Sequence, residues 1–176
     1  MFERLTAVTA IGGVAALTLG FAFYLAGARV NTTRSIPLGP YWTTSAPVEK
    51  GQYVIVCPPN ASVFHEAKKR GYIAAGLCTG DYGYIMKRVL AVEGDVIAIT
   101  SEGVRVNGHL LSLSAPLKAD RVGRSLPRYQ SNPFTLEASE VLLMSDASSI
   151  SFDSRYFGPV KRAQIRGGIR PVLTWK

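Results

Sequence analysis

Tyr84-Ile85-Met86-Lys87-Arg88-Val89-Leu90-Ala91-Val92 reads as strand from end to end. In an extended chain Ile85, Lys87, Val89 and Ala91 share one face, and Met86 and Arg88 turn to the other. Glu93-Gly94-Asp95 then supplies a turn, and Val96-Ile97-Ala98-Ile99 a second strand. The pattern recurs on both sides. Tyr53-Val54-Ile55-Val56-Cys57 is short and β-branched. Val104-Arg105-Val106 and His109-Leu110-Leu111 flank Asn107-Gly108, a pair suited to the positive φ angles of a tight hairpin. Val141-Leu142-Leu143-Met144 and Gln164-Ile165 add later strands. One helix is expected from about Ser62 to Arg70, capped by Asn60 or Ser62 and ended by Gly71. The fold class is mainly β with one short helix.

The N-terminal region differs. From Leu5 to Ala28 there are 24 residues without a charge, 17 of them apolar, bracketed by Arg4 and Arg29. As a helix the run extends about 36 Å, enough to cross a hydrocarbon core of about 30 Å. Ala26-Gly27-Ala28 has the small-x-small form of a leader cleavage site, so removal as a signal peptide is the competing reading. The run exceeds the roughly 7–15-residue apolar core of a leader, which favours a retained anchor. The chain of 176 residues thus divides into residues 1–28, an anchor or signal segment, and residues 29–176, one domain.

An apolar fraction of 47% with only 18% charged residues argues against a disordered polyelectrolyte or a coiled coil. Two cysteines and two scattered histidines form no zinc signature, so neither metal nor cofactor is expected. The net charge of +8 lies after Ala28, where 19 basic and 11 acidic residues fall. Lys118, Arg121, Arg124 and Arg128 crowd one segment but lack interleaved aromatics or a recognised module. No nucleic-acid partner is expected; the segment reads as a solvated loop facing anionic lipid. Cys57 and Cys78 are spaced either to bridge across the predicted helix or to remain two buried thiols, and export of the domain would favour the bridge.

Neither histidine suits an oriented general base: His65 sits among Glu66, Lys68 and Lys69, and His109 follows the hairpin turn. Lys87 is the better candidate, because it occupies an apolar stripe with no acid beside it, where desolvation lowers a lysine pKa; read alone, it equally suits an edge lysine reaching out to water. At the reference value of about 10.4 fewer than one lysine in a thousand is neutral at pH 7; a drop of two to three units frees a useful fraction. Ser35 precedes the restrained Ile36-Pro37-Leu38-Gly39-Pro40, a setting that exposes a nucleophilic hydroxyl. Near the C-terminal end, Ser151-Phe152-Asp153-Ser154-Arg155-Tyr156-Phe157-Gly158 places Ser151, Asp153 and Arg155 on one side if extended.

Three blocks, Ser35-Ile36-Pro37 after the apolar run, Lys87-Arg88-Val89 with Gly94-Asp95, and Ser151 to Gly158, resemble the type I signal peptidase family of membrane-bound Ser–Lys proteases. The resemblance implies a signal-peptidase-like β catalytic domain behind an N-terminal transmembrane or signal helix. It implies Ser35 as nucleophile and Lys87 as general base, with Thr33 and the Ser35 N–H as the oxyanion hole. Ser151 is then the residue that orients the lysine, and Asp153 and Arg155 brace the site. Arg34 and Ile36 depart from the small residue and the methionine common in leader peptidases. These departures, with Asn31 to Gly39, Tyr41-Trp42, Cys57-Pro58-Pro59 and Arg70-Gly71-Tyr72-Ile73, are similar to the subgroup of conjugal-transfer peptidases of the TraF type. That subgroup matures a pilin precursor, in some members joining its two ends through an acyl-enzyme. The implied partners are the pilin precursor, the cytoplasmic membrane and the mating-pair apparatus. The implied location is the bacterial inner membrane with a periplasmic catalytic domain, or the periplasm if the leader is removed. A general preprotein signal peptidase and a non-catalytic tethered component of the apparatus are the alternatives.

Overall fold

Period-2 patterning of the kind seen in residues 84–92 builds two antiparallel sheets in the computed structural model, which describes residues 2–175. Met1, Lys176 and the side chains of Glu3, Arg4 and Leu5, which fall within or bracket the predicted segments, lie outside the described residues. Helix α1 (Phe2–Leu25) leads into β1 (Ala28–Asn31), β2 (Gly39–Thr44) and β3 (Tyr53–Val56). Helix α2 (Ser62–Lys69), β4 (Ala75–Cys78), β5 (Ile85–Ala91), β6 (Val96–Ile99), β7 (Val104–Val106) and β8 (His109–Leu110) follow. The chain closes with β9 (Ser131–Thr135), β10 (Glu140–Met144), α3 (Ser154–Phe157), β11 (Val160–Lys161) and β12 (Ile165–Pro171). The larger sheet has the order β1-β2-β12-β3-β5-β10-β11, and the smaller has β8-β7-β6-β9.

Strand β5 has the predicted facing: Lys87, Val89 and Ala91 are buried, and Met86 and Arg88 are only partly so. It lies between β3, where Val54 opposes Lys87, and β10, where Leu143 opposes Val89. Val89 joins Val54, Val56, Leu143 and the α2 residues Phe64 and Ala67 in one apolar cluster. Ala91 belongs to a second, with Leu142, Met144 and the inner face of the small sheet. Each fully buried aliphatic or aromatic side chain contributes roughly 1.5–3 kcal/mol, so β5 is held rigidly on both flanks. A third cluster, Ile36, Tyr41, Ile55 and Ile169, anchors the residues just after Ser35.

The 107–108 hairpin forms as read, with φ of 51° at Asn107 and 80° at Gly108. Other details differ. Helix α2 starts after Ala61, with no side-chain cap from Asn60 or Ser62. Its amphipathic packing through Phe64 and Ala67 suffices. Gln164 ends a 3₁₀ turn (Arg162–Gln164), and the strand starts at Ile165. Strands β1, β2, β4, β9 and β11 were not read from the sequence; proline and glycine disguised β2 and β9. Pro40 lies near the start of β2, and Pro133 lies in β9, an edge strand where a missing N–H is tolerated.

Helix α1 stands outside both sheets with its described side chains exposed, and Thr6–Leu25 is long and apolar enough to cross a membrane. It passes into β1 without a linker, since Ala28 already opposes Trp42 and the Gly27 carbonyl accepts from the Thr43 N–H. Cys57 and Cys78 are joined in a disulfide that spans α2, with a sequence separation of 21. Closing a loop of that size removes denatured-state entropy worth about 3 kcal/mol. The Cys57→Ser/Cys78→Ser double variant is therefore expected to unfold at a clearly lower denaturant midpoint. An unchanged midpoint, or free thiols in a peptide map of the oxidised protein, would contradict that role.

Candidate active site

Ser35 sits in the turn between β1 and β2, and one buried side chain frames that turn. The Asn31 amide donates to the carbonyls of Thr33 (2.7 Å), Ile36 (2.9 Å) and Pro37 (3.0 Å). Its Oδ1 accepts from the Thr33 N–H and hydroxyl at 3.2 and 3.1 Å. The buried Tyr41 hydroxyl also donates to the Pro37 carbonyl, at 2.7 Å; burial above all pushes its pKa up to about 12. Gly39 ends the turn at a φ of +130°, where a Cβ would lie 2.2 Å from the Leu173 carbonyl oxygen. The nucleophile candidate is thus held by the turn's own backbone and half-buried beside a cleft.

Strand β5 brings Lys87 to this turn. Its Nζ donates to Ser35 Oγ at 2.7 Å and to Ser151 Oγ at 2.8 Å, and the two hydroxyls are 3.5 Å apart. Lys87 is 3% exposed, and burial lowers its pKa from the usual 10.5 to about 8. Asp153 nearby raises that pKa and Arg155 lowers it, so the two partly offset and desolvation dominates.

Asp153 and Arg155 are both fully buried and form a two-pronged ion pair, Nε to Oδ1 at 2.7 Å and Nη2 to Oδ2 at 2.9 Å. The carboxylate also accepts from the Ser145 and Arg155 backbone N–H groups. Arg155 Nη1 donates to the Leu113 and Ser149 carbonyls at 2.7 and 2.8 Å, tying two distant segments to the site. The extended geometry expected for residues 151–155 is not what forms. Asp153 caps the single turn of α3 through the Arg155 N–H, and Arg155 folds back on it. The capping carboxylate outcompetes an extended run, and the three residues still converge.

The structure therefore gathers Ser35, Lys87 and Ser151, with Asp153 and Arg155 packed close enough to bear on the Lys87 pKa. Thr33 is on the same turn, its hydroxyl on Asn31. Sequence reading quoted Asn31, Tyr41 and Ser154 within its motifs but gave them no role; the buried Ser154 Oγ accepts from the Leu143 N–H. A buried asparagine ending a strand before a proline turn is the signal that marks such a frame. His65 and His109 are both exposed. Among the described residues no group of His, Cys, Asp or Glu is arranged to hold a metal ion.

The unfolded chain keeps an ordinary lysine proton that the folded chain releases near pH 8, so stability rises with pH between about 8 and 10.5 and is flat below. The cost of burying Lys87 at neutral pH is about 3 kcal/mol. Lys87→Met is accordingly predicted to melt higher than the parent at pH 7, with the difference shrinking towards pH 10.5. A difference independent of pH in paired thermal melts would count against this.

A family profile described as "Signal peptidase, peptidase S26" matches residues 3–175. Two Escherichia coli proteins called plasmid transfer protein TraF are similar almost throughout. One is 64% identical over 175 residues, covering 99% of this chain and 98% of its own. The other is 67% identical over 174 residues, with the same coverage of 99% and 98%. A crystal structure of a signal peptidase I from Enterococcus faecalis V583 covers 72% of this chain and 100% of its own, at 19% identity and a TM-score of 0.42.

Proposed function

The chain belongs to the signal peptidase (peptidase S26) family, and on that premise we propose that it is a membrane-tethered Ser–Lys endopeptidase that matures the pilin precursor for plasmid conjugal transfer. The observation that carries the reading is the buried Lys87 amine 2.7 Å from Ser35 Oγ. The near full-length similarity to two proteins named for plasmid transfer supports the conjugal role and the partners, a pilin precursor and the mating-pair apparatus.

In the proposed reaction neutral Lys87 accepts the Ser35 hydroxyl proton as Oγ attacks the scissile carbonyl carbon. Ser151 holds the amine in line by its own hydrogen bond. The Ser35 N–H and the Thr33 hydroxyl receive the oxyanion; loss of such a donor typically costs about 10²–10³ in rate. Thr33 rests on Asn31 Oδ1, so it exchanges one acceptor for another, and the developing charge favours the exchange. Protonated Lys87 then gives its proton to the leaving amine as the carbon–nitrogen bond breaks. Water, deprotonated by Lys87, hydrolyses the acyl-enzyme. An amine of the pilin itself gives a joined product instead, provided it is held close and water is kept out.

Residues 1–28 act in this reading as a retained anchor and residues 29–176 as the periplasmic peptidase domain. Two features support it. The Ala26-Gly27-Ala28 segment is already engaged with β2, so it is not a free extended leader site. Val30, Val172, Leu173 and Trp175 are exposed on strands β1 and β12 and the residues that follow, close to where α1 emerges, as suits a domain resting on lipid. A disulfide accords with an oxidising compartment.

Intact-mass measurement of pilin made with the parent, Ser35→Ala or Lys87→Ala tests the reading. Only the parent is expected to yield a shortened pilin, and a joined product would be lighter than the linear one by one water. Mature pilin with both variants would overturn the enzymatic reading, and rescue of a leader-peptidase defect would favour a general preprotein peptidase. With the purified parent, kcat/KM should rise with pH through about 8 and then level, as Lys87 becomes a free base. A profile flat from pH 6 to 10 would count against Lys87 as the base.

A further inference from the structure

We propose that the cleft beside Ser35 selects substrates bearing an acidic side chain within three residues of the bond to be cut, and that Arg34 and Arg121 read that carboxylate. The proposal rests on Ser35 being the nucleophile of a peptidase. The cleft, about 350 Å³, holds Ser35 and Ser151 and is walled by residues of the 117–126 segment, so this segment is more than the solvated loop its composition suggested. Its apolar lining includes Leu117, Val122 and Ile150.

The charges around it do not balance. Asp120 is the one acid on the lining, and its carboxylate is fully engaged. It accepts from the Tyr72 hydroxyl (2.5 Å), Arg124 Nε (2.6 Å) and the backbone N–H groups of Val122 and Arg124. These bonds, the Tyr72 hydroxyl foremost, hold its pKa well below the usual carboxylate range. Arg124 is paired in the same contact and lies over the Tyr72 ring. Asp146 lines a neighbouring cavity together with Arg34, but its Oδ2 is salt-bridged to Arg88 and its Oδ1 is buried without a hydrogen-bond partner, not paired with Arg34. Arg34 and Arg121 are exposed and, among the described residues, have no acidic partner.

Two uncompensated guanidiniums on an apolar trough complement a carboxylate, and the low-dielectric walls strengthen the attraction. The occupant is a peptide because the hydroxyl proposed to attack the substrate lies in the same trough. An extended peptide advances about 3.3 Å per residue, so the residue adjacent to Ser35 reaches only side chains two or three positions from the scissile bond. The same contact explains why a bulky cation, Arg34, stands beside the nucleophile.

The test uses the full chain carrying Ser35→Ala in detergent micelles, so that binding is read without turnover. Fluorescent decapeptides carry one Glu at each of the three positions on either side of a small-residue cleavage site, with a matching Gln set. At low salt, Glu is expected to bind about 5- to 10-fold tighter than Gln at one or more positions, the scale of one ordinary net hydrogen bond at an exposed site, and less so as salt rises. In Arg34→Glu/Arg121→Glu, shown by circular dichroism to be folded, the preference should pass to Lys-bearing peptides. Equal binding of Glu and Gln at all six positions overturns the proposal, as does a preference that survives the double charge reversal. So does loss of phosphatidylglycerol-vesicle binding on that reversal with Glu and Gln peptides bound alike, since the cations would then serve lipid. Failure of the peptidase reading is separate: the Ser35-bearing parent would then cut none of the peptides, including any that the Ser35→Ala chain binds.

Discussion

A lysine with 3% of its surface exposed cannot hold its charge without cost, and the arrangement around Ser35 depends on that cost being kept. Val54 across the strand pair and the apolar β5 face keep water from Lys87. A lone carboxylate beside it would restore the charge and make a salt bridge in place of a base. Asp153 is present, but Arg155 grips both of its oxygens. The pair presents Lys87 with opposing influences, which leaves burial as the largest one. Buried ion pairs rarely add much stability over apolar packing, and here the pair's plainer effect is to tie residues 113 and 149 to the turn of α3 without leaving a bare charge near the amine.

The rest of the architecture fixes distances around that amine. Strand β5 is rigid because it contributes Val89 to one apolar cluster and Ala91 to another. The Ser35 turn is rigid because Asn31 holds three of its carbonyls and Ile36 is fully buried. Two stiff elements from opposite parts of the sheet order thus meet at one hydrogen bond. The direct passage of α1 into β1 sets this meeting point ten residues beyond the apolar helix, which limits how far the site sits from a bilayer that holds that helix.

Much of this was legible in the chain. The β5 alternation already set Lys87 on the Val89 and Ala91 face, and desolvation there follows from elementary electrostatics. The 24-residue uncharged run announced α1, and Asn107-Gly108 announced a hairpin. Less legible was whatever depended on long-range partners. Strands β2 and β9 contain proline, and each depends on a distant partner: Pro171 opposes Tyr41 of β2, and Val96 opposes Thr135 of β9. Local reading of Asp153 to Arg155 gave an extended run, because it had no way to weigh the capping bond or the carbonyls that Arg155 reaches. Asn31 had no role assigned for the same reason: its importance lies in three carbonyls brought near only when the turn closes.

The central claim, that the fold lowers the proton affinity of Lys87, is tested most directly by titrating the lysine side chains. In a ¹³C NMR titration of the full chain labelled at lysine Cε, one resonance should titrate near pH 8, and it should vanish in Lys87→Met. If every lysine resonance titrates near 10.4, and removal of Lys87 deletes one of those, the account is contradicted at its base.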